Sequence, residues 1–385
     1  MPGHQARQLV LNRLRTLREP GGALLSVVIS VPPDPAELRE LPARLDHLVT
    51  AAHPAATSGA AVRRDRRRAV SHVVQAGKSR GRDWVGRTIA LVASADGILE
   101  EVRLPCVVPD RATFGRRPYL RHVLRSFQQC RPYVVVVLDR RRSWLFEFSG
   151  STVHRARRLD GEGPRAHRYA GWYGLEENRS RNHAHELAWR HYGSTIAAVE
   201  KLSAPRGRAV VVGGHADGIA EFLSVLDPAL RDKIVGTFPI DPHTMTPDGV
   251  RARAEIAMAR QDAARRQQLA EDLAGWEAAG VAVQGLEPSA RAISESQAGL
   301  LVVRGEQMVP GWICERCGAL LTRDAKCPNG DAPSYPVPDL IDEMVARVLD
   351  DRGVVDLGPD ERGGLSVAVR LHRSVRAEPE QRISA

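Results

Sequence analysis

The sequence predicts an α/β protein of three segments, on three observations. Short apolar runs such as Leu24 to Val31 and Tyr133 to Leu138 have the length of buried strands. Helical stretches alternate with them, and Asp227-Pro228 and Thr246-Pro247-Asp248 are strong helix starts, a capping side chain followed by proline. A chain of 385 residues is also too long for one ordinary core.

The first segment, 1–131, opens with an amphipathic stretch carrying Leu9, Val10, Leu14 and Leu17. A strand from Leu24 to Val31 closes at Pro32-Pro33, helical material covers Pro35 to Ala52, and His53 to Gly59 reads as a loop. The charged run VRRDRRRA from Val62 to Ala69 precedes strand-like pieces at Trp84 to Ser94 and Ile98 to Pro105. The segment is a basic α/β unit.

The second segment, 132–280, begins with three consecutive strands, Tyr133 to Leu138, Trp144 to Phe148 and Thr152 to Leu159, joined by short turns. From 160 to 182 the chain is Gly-rich, charged and aromatic without a period. A loop that long inside a compact domain is more often functional than structural. A helix follows from Asn182 to Leu202, with Leu187, Ala188, Trp189, Ile196, Val199 and Leu202 toward one face. Ala209 to Val212 is a buried strand ending at Gly213-Gly214-His215. Neither the G-x-G-x-x-G nor the Walker pattern is present there, so it reads as a strand-to-helix turn. A long Arg/Ala/Gln-rich helix runs from Thr246 to Gly280.

The third segment, 281–375, alternates strand Val281 to Val283, helix Pro288 to Ser296, strand Gly299 to Arg304, helix Pro338 to Asp350, and strands Val354 to Leu357 and Leu365 to Leu371. This is an α/β/α sandwich, interrupted by a cysteine-bearing insert at 312–331. Residues 376–385 read as a disordered tail.

Composition narrows the function classes. The first twenty residues scatter arginine through their apolar positions and have no secretory core, and no apolar run approaches the roughly 20 residues needed to span a bilayer. A soluble, cytoplasmic protein without membrane contact is expected. Five cysteines are too few for a disulfide framework, and Cys106 and Cys130 read as isolated small apolar residues. The net charge is +9, and residues 1–130 hold 21 Lys/Arg against 11 Asp/Glu, so the basic excess lies there. Arg63, Arg64, Arg66, Arg67 and Arg68 concentrate it, and arginine suits phosphate through its planar fork. A nucleic-acid partner and a merely solvated arginine-rich surface both fit.

In the insert, Cys314-x2-Cys317-x9-Cys327 is a zinc-ribbon arrangement without its fourth cysteine, and Gly330 stands where a second C-x2-C would complete it. Asp331 could supply an oxygen ligand to a structural zinc, or the metal has been lost.

Several stretches together resemble the archaeo-eukaryotic class-1 release factor and Pelota family, in particular its bacterial branch, which includes Balon-like ribosome hibernation factors. They are VVVVLDRRRSWLFEF (Val134 to Phe148), AGWYGLEENRSRNH (Ala170 to His183) running into a helix, AVVVGGHADGIAEFL (Ala209 to Leu223), DPALRDKIVGTFPID (Asp227 to Asp241), and GWICERCGALL with CPNGD in the insert. The resemblance implies a central ribonuclease-H-like domain that carries a Gly-Gly-Gln loop to the peptidyl-transferase centre. It implies a first domain that reaches the decoding site, and a third that contacts the stalk base and a GTPase, elongation factor Tu or a relative. The whole would occupy the ribosomal A site and touch rRNA.

The loop departs from the family pattern. Gly171-Trp172-Tyr173-Gly174 stands at the aligned place, and no glutamine occurs from Asp160 to Glu200. Peptide release needs a water held in line with the ester and donors for the developing charge. Trp172 and Tyr173 offer stacking surface instead, suited to docking on RNA or to packing on the adjacent helix. Arg179 and Arg181 then fall where the loop enters that helix, as phosphate contacts or as a solvated helix start. His183 and His185, two apart, point to different sides and read as surface or RNA-facing groups. The expectation is a non-catalytic ribosome-binding factor of hibernation or stress. Two alternatives are a peptidyl-tRNA hydrolase or rescue enzyme, and an RNA-binding protein acting away from the ribosomal active centre.

Overall fold

The computed structural model describes residues 4–34, 37–52, 59–150, 152–161, 175–204, 208–323, 327, 330, 332–359 and 364–372. The chain forms two compact units, one from residues 130–269 and one from residues 1–129 with 270–385.

The first stretch contains α1 (His4–Thr16), β1 (Leu24–Val31), α2 (Leu41–Ala51), α3 (Ala60–Arg80), β2 (Arg87–Ser94), β3 (Gly97–Leu104), β4 (Arg111–Gly115) and α4 (Arg121–Gln129). The strands form an antiparallel sheet in the order β3-β2-β1-β4. Strand alternation sends Leu25, Val27, Ile29, Ile89 and Leu91 to one face, where Leu41, Leu45 and Val49 of α2 and Ala69, Val73 and Ala76 of α3 cover them. The charged run is thus the first half of a 21-residue helix whose buried stripe begins where the arginines stop. Neither β4 nor α4 was legible beforehand.

The second unit contains β5 (Tyr133–Leu138), β6 (Arg142–Ser149), β7 (Thr152–Asp160), α5 (Leu175–Ser203), β8 (Val210–Gly214), α6 (Ala216–Ser224), α7 (Pro228–Arg231), β9 (Ile234–Pro239) and the start of α8 (Pro247–Ala278). Its sheet order is β7-β6-β5-β8-β9, antiparallel across β7, β6 and β5 and parallel across β5, β8 and β9. This is the ribonuclease-H-like arrangement expected of the central segment. Val134, Val136 and Leu138 pack with Ala188, Tyr192 and Val199 of α5 and Phe222 of α6. Val135 and Val137 pack on the opposite face with Val250 and Ala254 of α8. Both faces of β5 are buried, which explains its uninterrupted apolar run.

The last stretch returns to the first unit with β10 (Ala282–Gln284), α9 (Leu286–Ser294), β11 (Ala298–Arg304), β12 (Gly311–Cys314), β13 (Leu320–Leu321), β14 (Ser334–Val337), α10 (Leu340–Asp350), β15 (Val354–Gly358) and β16 (Ser366–Leu371). Four strands make the sheet β10-β16-β11-β15, and the insert makes a small sheet, β13-β12-β14. One apolar cluster joins this sheet and α10 to Leu14 of α1, Val28 of β1, and Leu120 and Val123 of α4. The first and third sequence segments therefore share a core. Cys106 and Cys130 are not isolated thiols; both are disulfide-bonded. The tail at 376–385 lies outside the described residues. Among the described residues no helix is long and apolar enough to cross a membrane.

Candidate functional site

Three places were singled out by the sequence: the central loop, the arginine run and the cysteine insert.

Gly171, Trp172, Tyr173 and Gly174 lie outside the described residues. Arg179 and Arg181 fall in the first two turns of α5, seven residues longer at its start than expected, and their side chains are not among the described ones. The start of this loop is held by a buried frame. Gly161 donates its N–H to Arg141 O at 2.7 Å, and a Cβ on Gly161 would meet the His191 ring at 2.9 Å, so β7 ends against α5 only because residue 161 is glycine. His191 Nε2 lies 2.8 Å from Ser143 Oγ, which in turn lies 2.8 Å from Thr195 Oγ1. All three are buried, and burial holds the His191 pKa below its ordinary value, so the ring is neutral. A Ser–His pair invites a nucleophile reading, but this one is enclosed and saturated by Thr195. It fastens α5 to the start of β6 beside the loop. Nothing in the spacing of Ser143 and His191 announced the contact.

The face assigned to α5 needs one correction. Leu187, Ala188 and Val199 are buried as expected, whereas Trp189 is 52% exposed.

In the arginine run, Arg63, Arg66 and Arg67 line a cavity of about 590 Å³ between α2 and α3 with Lys78, Asp46 and Phe114. Arg66 donates through Nε and Nη2 to Gly22 O at 3.1 and 2.9 Å, and its guanidinium lies 5.1 Å from the Phe114 ring centroid. That geometry ties α3 to the start of β1. Arg64 and Arg68 are exposed and outside the cavity lining, one turn apart. Arg66 is thus held within the fold, while Arg63, Arg64, Arg67 and Arg68 are exposed.

The insert brings Cys314, Cys317 and Cys327 together, with all three sulfurs within 4.8 Å of one another and Cys317 Sγ 3.3 Å from Cys327 Sγ. Cys314 ends β12, and Gly318, at φ 72°, turns the chain back so that Cys314 N–H reaches Ala319 O at 3.0 Å. The backbone N–H of Cys317 donates to the Cys314 sulfur and, with that of Arg316, brings its pKa down to about 7. Three converging sulfurs, one of them shifted toward its thiolate form, suit a zinc ion. Asp331, the oxygen ligand suggested by the sequence, lies outside the described residues.

Residues 118–257 match the bacterial archaeo-eukaryotic release factor family 10. None of the curated proteins compared matches the chain. Among solved structures, the archaeal translation termination factor aRF1 is similar at 14% identity over 96% of this chain and 98% of its own, with a TM-score of 0.26. Pelota of Archaeoglobus fulgidus is 14% identical over 76% of this chain and 80% of its own, TM-score 0.35. Dom34 of S. cerevisiae is 8% identical over 79% of each chain, TM-score 0.39.

Proposed function

We propose that this chain, which carries a bacterial archaeo-eukaryotic release factor family 10 segment over residues 118–257, is a ribosome-associated translation factor that fills the A site without hydrolysing peptidyl-tRNA. One observation carries the reading: the loop inside the family segment is Gly171-Trp172-Tyr173-Gly174, and glutamine is absent from Asp160 to Glu200. A factor that keeps the shape and replaces the water-positioning side chain with two aromatic rings is suited to docking on rRNA, not to admitting water beside an ester. Arg179 and Arg181 would meet phosphate next to that loop. Hibernation or stress is the setting in which occupancy without catalysis is useful, and the cytoplasm is where it would act.

In this reading the three sequence segments act as three parts. The basic first segment reaches the decoding end with Arg63, Arg64, Arg67 and Arg68. The middle segment lies at the peptidyl-transferase end, and the last segment, steadied by a structural zinc, meets a GTPase such as elongation factor Tu. The cavity beside Arg63 and Arg67 favours a second reading, RNA binding away from the active centre. Sucrose-gradient sedimentation with 70S ribosomes tests the first. The protein should travel with ribosomes at low salt and fall off steeply as salt rises, because each phosphate contact releases counterions. Protein left wholly at the top of a low-salt gradient contradicts it.

A further inference from the structure

We propose that the exposed row His185–Trp189–Gly193 on α5 is a stacking platform for one unpaired RNA base. Trp189 is 52% exposed in the middle of a helix whose neighbouring positions Leu187, Ala188 and Tyr192 are buried. The His185 ring lies on one side of it, with centroids 5.3 Å apart and planes tilted by 53°. Gly193, one turn further along, is also exposed, and among the described residues a Cβ there would meet nothing within 4 Å. Helical side chains lean toward the N-terminus and cover the turn before their own Cα. The side chain that residue 193 lacks is therefore the one that would lie over Trp189.

Gly193 has no packing reason to be glycine. It stands inside the 29-residue helix Leu175–Ser203, where glycine weakens the helix relative to almost any other residue. No close approach requires it, and its φ is not positive. An exposed indole and an unexplained glycine one turn beyond it are two independent observations, and they define one open aromatic face.

The chemistry around that face selects the occupant. Next to it Arg190 Nη2 pairs with Glu186 Oε1 at 2.6 Å, and Ser194 Oγ donates to Arg190 O at 3.2 Å. Among the described residues the surround is polar and ion-paired, so no apolar patch extends from Trp189 to hold a protein partner, which needs a far wider contact. A base needs only one aromatic plane. The platform deepens the ribosomal reading, because rRNA supplies the base, yet the stacking chemistry holds for any single-stranded RNA.

The test uses the full-length protein and two probes, 70S ribosomes by sedimentation and a fluorescein-labelled single-stranded oligoadenylate by anisotropy at low salt. Trp189→Ala and Gly193→Leu should each weaken oligoadenylate binding by about 10- to 100-fold, the loss of one stacked base, while Trp189→Phe keeps most of it. Gly193→Leu should melt at the same temperature as wild type or higher, since it improves the helix, so lost binding cannot be lost folding. Unchanged oligoadenylate affinity in both variants, or no binding by wild type, overturns the platform. Variants that sediment with ribosomes as well as wild type does, with oligoadenylate affinity also unchanged, overturn it and leave the A-site reading standing. Wild type that misses ribosomes but binds oligoadenylate through Trp189 sustains the platform and removes the ribosomal reading.

Discussion

Arg121 Nη1 lies 3.1 Å from Asp339 Oδ2, with the two side chains 4% and 1% exposed. Around this pair, Arg121 donates to Gln307 O at 2.9 Å and Gly305 O at 2.8 Å. Asp339 accepts from Tyr119 Oη at 2.9 Å and caps α10 through Ile341 N–H at 3.1 Å. Sequence positions more than two hundred residues apart are locked in one buried network. Removing one partner leaves an uncompensated charge, so Asp339→Ala should destabilise by about 3–5 kcal/mol in urea unfolding. Arg80→Ala, which breaks the Arg80–Glu101 pair at its exposed end and leaves Glu101 to accept from Trp84 Nε1, should lose less than about 1 kcal/mol. Equal effects would show that the buried network is not what joins the two halves of this unit.

The same network sets a pH dependence of two opposite signs. Burial, then Asp339 and Glu343, hold the Asp342 carboxyl well above its ordinary 3.8. The folded protein therefore keeps a proton that the unfolded chain releases, and this contribution is full at low pH and lost as pH rises through the folded pKa. Asp342→Asn keeps an oxygen for the Leu120 and Arg121 N–H groups, which sit 2.9 and 2.7 Å from Asp342 Oδ1. The variant should gain on wild type as pH rises from about 4 to 8 in denaturant melts. A constant difference across that range would remove Asp342 as the source.

His122 has the other sign. Burial, then Arg111, Arg121 and Arg125, lower its pKa from 6.5 to about 3. The neutral ring belongs to the folded state, so its contribution is present above 6.5 and is lost as pH falls toward 3. His122→Phe, which keeps an aromatic edge against Tyr119, should flatten the acid side of the stability profile. An acid limb of unchanged steepness contradicts this.

The parts of the fold that were legible in sequence are those in which burial and side-chain type agree. Tyr133 to Leu138 and Ala209 to Val212 read as strands because both faces of β5 and β8 are covered. Helix α4 was not legible because Arg121, His122 and Arg125 are buried on it, and for the two arginines Asp339 and Glu306, more than 180 residues away, make that tolerable. Strand β9 was missed because it lies at a sheet edge and buries only Phe238. Of the site, the three cysteines were visible as a spacing, since ligands close in sequence can be counted. The Ser143–His191 fastening was not, because residues 48 apart leave no periodic mark. Trp189 misled for a simpler reason: hydrophobicity marks what can be buried, not what is.

Zinc should stabilise the insert. If Cys314, Cys317 and Cys327 hold the ion, elemental analysis should find about one equivalent, lost in Cys314→Ser, and a chelator should lower the melting temperature. Metal-free protein that melts identically with and without added zinc would show that the cluster is not a metal site.

Gly161→Ala tests the frame of the central loop. Its Cβ would press on the His191 ring, and either the ring or the end of β7 must shift. Stability should fall by about 1–3 kcal/mol, the range for a strained or unsatisfied buried contact, and Ser143→Ala should fall in the same range. A double variant that loses less than the sum would show that both act on one fastening. Full additivity would separate them.

The claim of occupancy without catalysis is tested most directly by programming ribosomes with peptidyl-tRNA in the P site and an empty A site, then adding the protein with labelled A-site tRNA. The protein should compete with the tRNA and release no peptide. Trp172→Ala with Tyr173→Ala should weaken competition by about 1–3 kcal/mol per lost stacked base without changing the melting temperature. Peptide released by wild type and abolished by the loop variant would contradict it and establish a hydrolase.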